Sequence, residues 1–205
     1  MPPLVLLHGH TDCAWSWHHI SSELADRYFV VAPDLRGHGD SGWFPPYSDQ
    51  FLAGDLLNLM DHCGFESARV VAHSLGSHAA SFAAGCFPHR VERLALIEGL
   101  GPPRKAGDVN ARQWRQQTAQ FIDIARTAPV QRSFPSVNAV LERFMKIYPS
   151  LDQGLASLIV EKSVHVTEQG VEWKWDPMSR DWITTSDPVR FEEVWEGIEC
   201  ETLAV

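Results

Sequence analysis

The sequence lacks several features that would narrow its role. After Met1-Pro2-Pro3 there is no cationic stretch, long apolar stretch or small-residue cleavage site, so no signal peptide is expected. No apolar run approaches the roughly 20 residues of a membrane-spanning helix, and no membrane span is expected. There is no Asn-x-Ser/Thr sequon, internal repeat or low-complexity tract. The four cysteines (Cys13, Cys63, Cys86, Cys200) show no paired spacing, which argues against a disulfide scaffold and for a reduced, cytoplasmic protein. Lys and Arg number 17 against 26 Asp and Glu, a net charge of -9. With no basic cluster, nucleic acid and anionic membrane are excluded as main partners. H-E-x-x-H, C-x-x-C and paired histidine spacings are absent, so no metal is expected. Gly99-x-Gly101 followed by Pro102-Pro103 fails as a dinucleotide fingerprint, so no cofactor is expected either.

What remains is ordinary globular composition, 44% hydrophobic and 21% charged over 205 residues. One stretch organises it: Arg69-Val70-Val71-Ala72-His73-Ser74-Leu75-Gly76. Val70-Val71 reads as a buried strand, and Gly76, Ala79, Ala80, Ala83 and Ala84 open a helix of small residues. Ser74 sits at the apex. This is a nucleophile elbow of the G-x-S-x-G kind, with Ala72 in place of the first glycine. The reversal is so tight that larger side chains two before or two after the serine would clash. Helix capping alone would also favour serine, but it asks nothing of those small neighbours.

Taken in order, Leu4–Leu7 reads as a strand buried on both faces, followed by a turn at His8-Gly9-His10. Ser16–Asp26 carries helical spacing, and Tyr28–Pro33 reads as a second buried strand. Asp34-Leu35-Arg36-Gly37-His38-Gly39-Asp40-Ser41-Gly42 is a glycine-punctuated loop. The pattern Phe51–Met60 predicts a helix capped at Gly64, and Val91–Leu100 a further strand. Alternating strands and helices of this kind predict an α/β fold with a mainly parallel sheet flanked by helices. From Gly101-Pro102-Pro103 the chain becomes helical and aromatic-rich. Helices are expected over Asn110–Ala128, Ser136–Ile147 and Asp152–Ser163, a hairpin-like strip over His165–Trp175, and a short helix from Phe191 to Trp195. Thr202–Val205 resumes a strand.

Three motifs together resemble the α/β-hydrolase superfamily: Leu6-Leu7-His8-Gly9 after a strand, the loop Asp34–Ser41, and Ala72-His73-Ser74-Leu75-Gly76. Leu96–Pro102 with Trp173-Lys174-Trp175-Asp176-Pro177 is similar to the serine-hydrolase-like branch. The resemblance implies a core over residues 1–100, an inserted helical lid over 101–195 and a return to the core over 196–205. It also implies two earlier core strands and a later acid loop, strand and histidine loop. The expectation is therefore a fragment running from the third core strand to the start of the seventh, and inactive as it stands.

The resemblance assigns Ser74 as nucleophile and the backbone N–H groups of Leu75 and His10 as donors to an oxyanion. His73, beside the serine, points away from its oxygen. His18, His19, His62, His78 and His89 lie on helices or their ends, His38 holds the glycine loop, and His165 lies in the lid. The base is expected beyond residue 205. Glu98, at the end of its strand, stands where some relatives place the acid. Its alternatives are pairing with a lid arginine such as Arg104, or simple exposure. Asp34 is expected to organise its loop. The eight tryptophans are expected mostly in packing, with some lid tryptophans lining a pocket. The implied activity is hydrolysis of an ester or related acyl bond in a small, apolar acyl compound. Thioester and carbon–carbon cleavage stay open. Epoxide and haloalkane hydrolysis are disfavoured, because those relatives carry aspartate at the elbow. The alternative is a non-catalytic binding protein on the same fold; oligomeric state stays open.

Overall fold

Leu4, Val5, Leu6 and Leu7 are all buried, because β1 (Pro3–Leu7) is covered on both faces. Val5 and Leu7 point into one cluster with Leu52, Leu56, Ala79 and Ala83, while Leu4 and Leu6 pack with Trp17 on the other side. The alternation of a strand thus feeds two layers. Burying each such side chain contributes about 1.5–3 kcal/mol. The fold is that of a computed structural model, which describes residues 1–99, 115–116, 118–119, 122–123, 126–127, 129–181 and 189–205.

Five strands form a parallel sheet in the order β2-β1-β3-β4-β8, with β2 at Phe29–Val31, β3 at Ala68–His73, β4 at Val91–Ile97 and β8 at Glu201–Ala204. The mainly parallel α/β architecture expected from the sequence is present. On one face lie α2 (Asp49–His62) and α3 (Leu75–Cys86). Helix α2 buries Leu52, Ala53, Leu56 and Met60 on one stripe, and Gly64 follows it at φ +72°. Helix α3 is buried almost throughout, and its alanines let it approach both the sheet and α2. The other face carries α1 (His18–Leu24) and the preceding 3-10 turn Ala14–Trp17.

Beyond β4 a second cluster forms around Phe134, Val140, Val160, Val164 and Val171. It joins α4 (Val137–Ile147), α5 (Gln153–Ser163) and an antiparallel sheet β5-β7-β6, with β5 at Ser133–Phe134, β6 at Val164–Thr167 and β7 at Gly170–Trp173. Side chains of Ser136 and Asp152 accept the capping hydrogen bonds that start α4 and α5. A last helix, α6 (Val189–Trp195), packs Phe191 on α3. Among the described residues no helix is long and apolar enough to cross a membrane.

Several expectations need correction. The strand read as buried at Tyr28–Pro33 is β2 at the sheet edge, where Phe29 is 55% exposed. The strand expected to run to Leu100 stops at Ile97, because Glu98 turns the chain at φ +48°. The region read as a helical lid also holds a three-stranded sheet, since β5 adds to the hairpin. Most of Asn110–Ala128, together with Arg104, lies outside the described residues.

Candidate active site

Ser74 joins β3 to α3 at φ +48° and ψ -114°, a backbone conformation that costs a non-glycine residue about 1–3 kcal/mol. The surroundings hold it there. Its N–H donates to Ile97 O at 2.9 Å, and Ser77 Oγ donates to Ala72 O at 2.8 Å, closing the turn from inside the helix. The side chain is partly exposed, and no described group hydrogen-bonds its hydroxyl.

The turn after β1 lies directly against this serine. A β-carbon added at Gly9 would sit 2.7 Å from His73 Nδ1 and 3.3 Å from Ser74 Cβ. Gly76 N–H donates to His8 O at 3.1 Å, which ties α3 to the same turn. Among the described residues, the backbone N–H groups of Leu75 and His10 make no hydrogen bond. Leu75 is the first residue of α3, so its N–H is one of the unpaired donors every helix start leaves.

Three imidazoles brace the turn. His8 Nε2 accepts from Leu35 N–H at 2.9 Å, so its proton sits on Nδ1, which donates to Gly9 O at 2.7 Å. His38 Nδ1 donates to Arg36 O at 3.0 Å, and the His38 ring meets those of His8 and His10 edge-on at 5.3 and 5.5 Å. Burial keeps all three neutral: His8 and His10 are pushed down to about 4 and His38 to about 3. His10 also shares a hydrogen bond with Ser179 Oγ at 3.1 Å.

Asp34 organises its loop. Its carboxylate accepts from Ala14 N–H at 2.8 Å and Asp40 N–H at 2.9 Å, while Ser41 Oγ donates to its carbonyl. Gly39 packs so closely on that carboxyl that no side chain fits there. Arg36 fixes the loop's outer wall with a two-pronged bond to Asp55 at 2.6 and 2.7 Å.

Glu98 stands at the C-terminal end of β4, with its side chain 81% exposed and Oε2 3.2 Å from His73 Nε2. The structure brings it to the histidine beside the nucleophile and to no other. His18 and His19 lie in α1 and His62 ends α2. His78 is buried in α3 against Phe191, His89 lies in a 3-10 turn, and His165 pairs with Glu172. None of the ten histidines hydrogen-bonds the Ser74 hydroxyl.

Sequence reasoning missed how the second cluster is fastened over this edge. Asp176 N–H donates to Gly37 O, Tyr47 OH donates to Asp176, Lys174 reaches Asp40 at 2.6 Å, and His38 bridges to Trp175. Tyr47 and Asp176 are 129 residues apart, and no local pattern signals such a pair.

A family model described as alpha/beta hydrolase fold matches residues 2–146. The soluble epoxide hydrolase of Corynebacterium sp. (strain C12) is 36% identical over 107 residues, which cover 52% of this chain and 37% of that protein. The match thus spans little more than a third of that relative's length. Among solved structures, a thioesterase domain from the curacin biosynthetic pathway superposes with a TM-score of 0.84 at 24% identity, over 99% of this chain and 73% of the other. An esterase from Mycobacterium tuberculosis gives a TM-score of 0.72 at 24% identity, over 100% of this chain and 65% of the other. At those identities the likeness shows the fold alone.

Proposed function

We propose that this chain, which belongs to the alpha/beta hydrolase fold family, carries the nucleophile of a serine hydrolase acting on an ester or thioester through an acyl-enzyme on Ser74. One observation supports the reading: a serine on the strained elbow, packed against the Gly9 turn, with the backbone N–H groups of Leu75 and His10 making no hydrogen bond among the described residues. The curated relative is an epoxide hydrolase and the structural neighbours include an esterase and a thioesterase. The serine at the elbow favours the acyl-bond reading. By family resemblance, epoxide-opening members carry aspartate there, whereas a serine oxygen is suited to attack at an acyl carbon.

In this mechanism Ser74 Oγ bonds to the acyl carbon as its proton leaves to a base. The Leu75 and His10 N–H groups take the negative charge of the tetrahedral oxygen. The C–O or C–S bond breaks, and the leaving alcohol or thiol takes the proton. Water then attacks the acyl-enzyme by the same route and frees Ser74. Proton removal from Ser74 is the step that no described side chain is placed to perform. The cluster of α4, α5 and β5–β7 serves as the lid over residues 101–195. Four free cysteines fit a reducing, cytoplasmic setting.

Treating the full-length gene product with a fluorophosphonate should place one covalent adduct on Ser74, and Ser74→Ala should abolish it. A folded protein that takes no adduct would instead be a ligand-binding member of the family. In the hydrolytically active protein, Glu98→Gln should lower kcat about a hundredfold or more with KM little changed, if Glu98 is the acid. Near-normal turnover would remove Glu98 from the mechanism.

A further inference from the structure

A cleft of about 600 Å³ opens between the start of β5, α4 and the 3-10 turn Pro177–Asp181. Three arginines line it: Arg132, Arg143 and Arg180, together with Phe134, Trp173 and Trp175. We infer that this cleft seats the anionic end of the substrate, a carboxylate or phosphate carried on the compound whose acyl bond Ser74 attacks. The inference rests on the acyl-hydrolase reading and names the substrate class of that site.

The argument begins with charge. Acidic residues outnumber basic ones by 26 to 17. Arg36, Arg69, Arg90 and Arg93 all pair with a carboxylate. Arg132, Arg143 and Arg180 do not: among the described residues no carboxylate pairs with them and none lines the cleft. All three are exposed, so their charges stand open to an incoming anion. Guanidinium also matches carboxylate and phosphate oxygens two at a time, which favours these groups over a generic anion.

The wall is built rather than incidental. Gln131 Nε2 donates to Trp173 O at 3.0 Å and Trp175 O at 2.7 Å, fixing the backbone that carries both indoles. Arg132 lies 5.1 Å over the Phe134 ring, which holds its head at the cleft. The tryptophan faces offer apolar area for the carbon chain joining the anion to the acyl group, and the volume suits a small metabolite.

Trp175 joins the cleft to the turn that carries His10. The Trp175 ring lies 5.7 Å from that of His10, whose backbone N–H is a proposed oxyanion donor. Arg180 directly follows Ser179, which bonds His10. The arginine charge reaches far enough to help hold His10 neutral. A substrate held here by its charged end would be oriented as its acyl carbon approached Ser74. The apolar acyl compound expected from sequence thus acquires a charged terminus.

The test is calorimetric titration of the full chain with glutarate and with inorganic phosphate, using butyramide as the neutral control, beside fluorophosphonate labelling of the same sample. At least one anion should bind with a Kd below about 1 mM while butyramide does not. Arg143→Gln and Arg180→Gln should each weaken that binding tenfold or more with an unchanged thermal midpoint. Tighter glutarate binding would mark a carboxylate substrate, and tighter phosphate binding a phosphorylated one. Absence of binding by either anion, or equal affinity in both variants, would overturn the site. If Ser74 is labelled in that case, the hydrolase reading survives without it. Anion binding that depends on the arginines without any Ser74 adduct would retain the cleft as an anion site and discard the hydrolase.

Discussion

Acidification from pH 7 to pH 4 should strip this protein of much of its stability through its buried histidines. His8, His10 and His78 are held down to about 4 and His38 to about 3, against the ordinary histidine value of 6.5, in each case chiefly by burial. Between pH 6.5 and 4 the unfolded chain therefore binds protons at these sites that the folded chain refuses. Stability rises with pH wherever the unfolded state holds more protons, so it falls as pH drops through this window. It is fully present above the unfolded histidine value and lost as pH approaches the folded ones. For His8 and His38, which have no exposed surface, the contribution is on the order of 3 kcal/mol each. A domain is stable by only about 5–15 kcal/mol, so two such groups decide the outcome. Asp12 works the other way: burial raises its carboxyl, so the fold takes up that proton sooner and regains a little stability in acid. One carboxyl does not offset four histidines. Urea unfolding at half-unit pH steps should show the midpoint falling steeply below pH 6.5. His38→Gln should flatten the slope by about 1.4 kcal/mol per pH unit, because it removes one coupled proton. A midpoint unchanged from pH 7 to pH 4.5 would refute this.

The same histidines show how far the sequence could be read. His8-Gly9 after an apolar run marks the turn, and His38 in the glycine loop braces that loop through Arg36 O. The edge-on contacts of the His38 ring with those of His8 and His10 are a product of two segments meeting, which no spacing encodes. Local rules worked where structure is local. Ser136 and Asp152 cap their helices, Gly64 follows α2 in the left-handed region, and a two-residue turn at Glu168-Gln169 joins β6 to β7. Burial is less legible where it depends on neighbours. The apolar run at Tyr28–Pro33 resembles β1 in composition, but it lies at the edge of the sheet and stays half open. Strand β5 has only two residues, too few for any period to register. The end of β4 was hidden because Leu96-Ile97 and Leu100 flank Glu98, and hydrophobicity does not report a left-handed φ. The elbow was legible because its demand is steric and falls on adjacent residues. The arginine cleft was not, because Arg132, Arg143 and Arg180 come from three separate segments.

Gly76 and Gly54 should respond to the same substitution with opposite signs. Both are helical glycines, so propensity alone makes alanine better at each by about 0.5–1 kcal/mol. At Gly54, within α2, an added β-carbon meets nothing within 4 Å, so Gly54→Ala should raise stability by about that amount. At Gly76 the β-carbon would lie 2.7 Å from Leu7 Cβ, 2.8 Å from Leu7 O and 2.8 Å from His8 O. Two of these three are backbone atoms of the strand end and cannot swing aside. The closeness has a cause: Gly76 N–H donates to His8 O, and the helix is drawn onto the strand to make that bond. Gly76→Ala should therefore cost about 1–3 kcal/mol and Gly76→Val more, with a midpoint lower by about 2–4 °C for each kcal/mol. The loss should not stop at stability. Pushing the first turn of α3 away from β1 also moves Ser74 and Leu75 away from the His8-Gly9-His10 turn, separating the two proposed oxyanion donors. Fluorophosphonate labelling of still-folded Gly76→Ala should accordingly slow about tenfold or more, whereas Gly54→Ala should label like the parent. A neutral Gly76→Ala would mean that α3 shifts without consequence, and the small-residue rule at the elbow would need another explanation than the contact with β1.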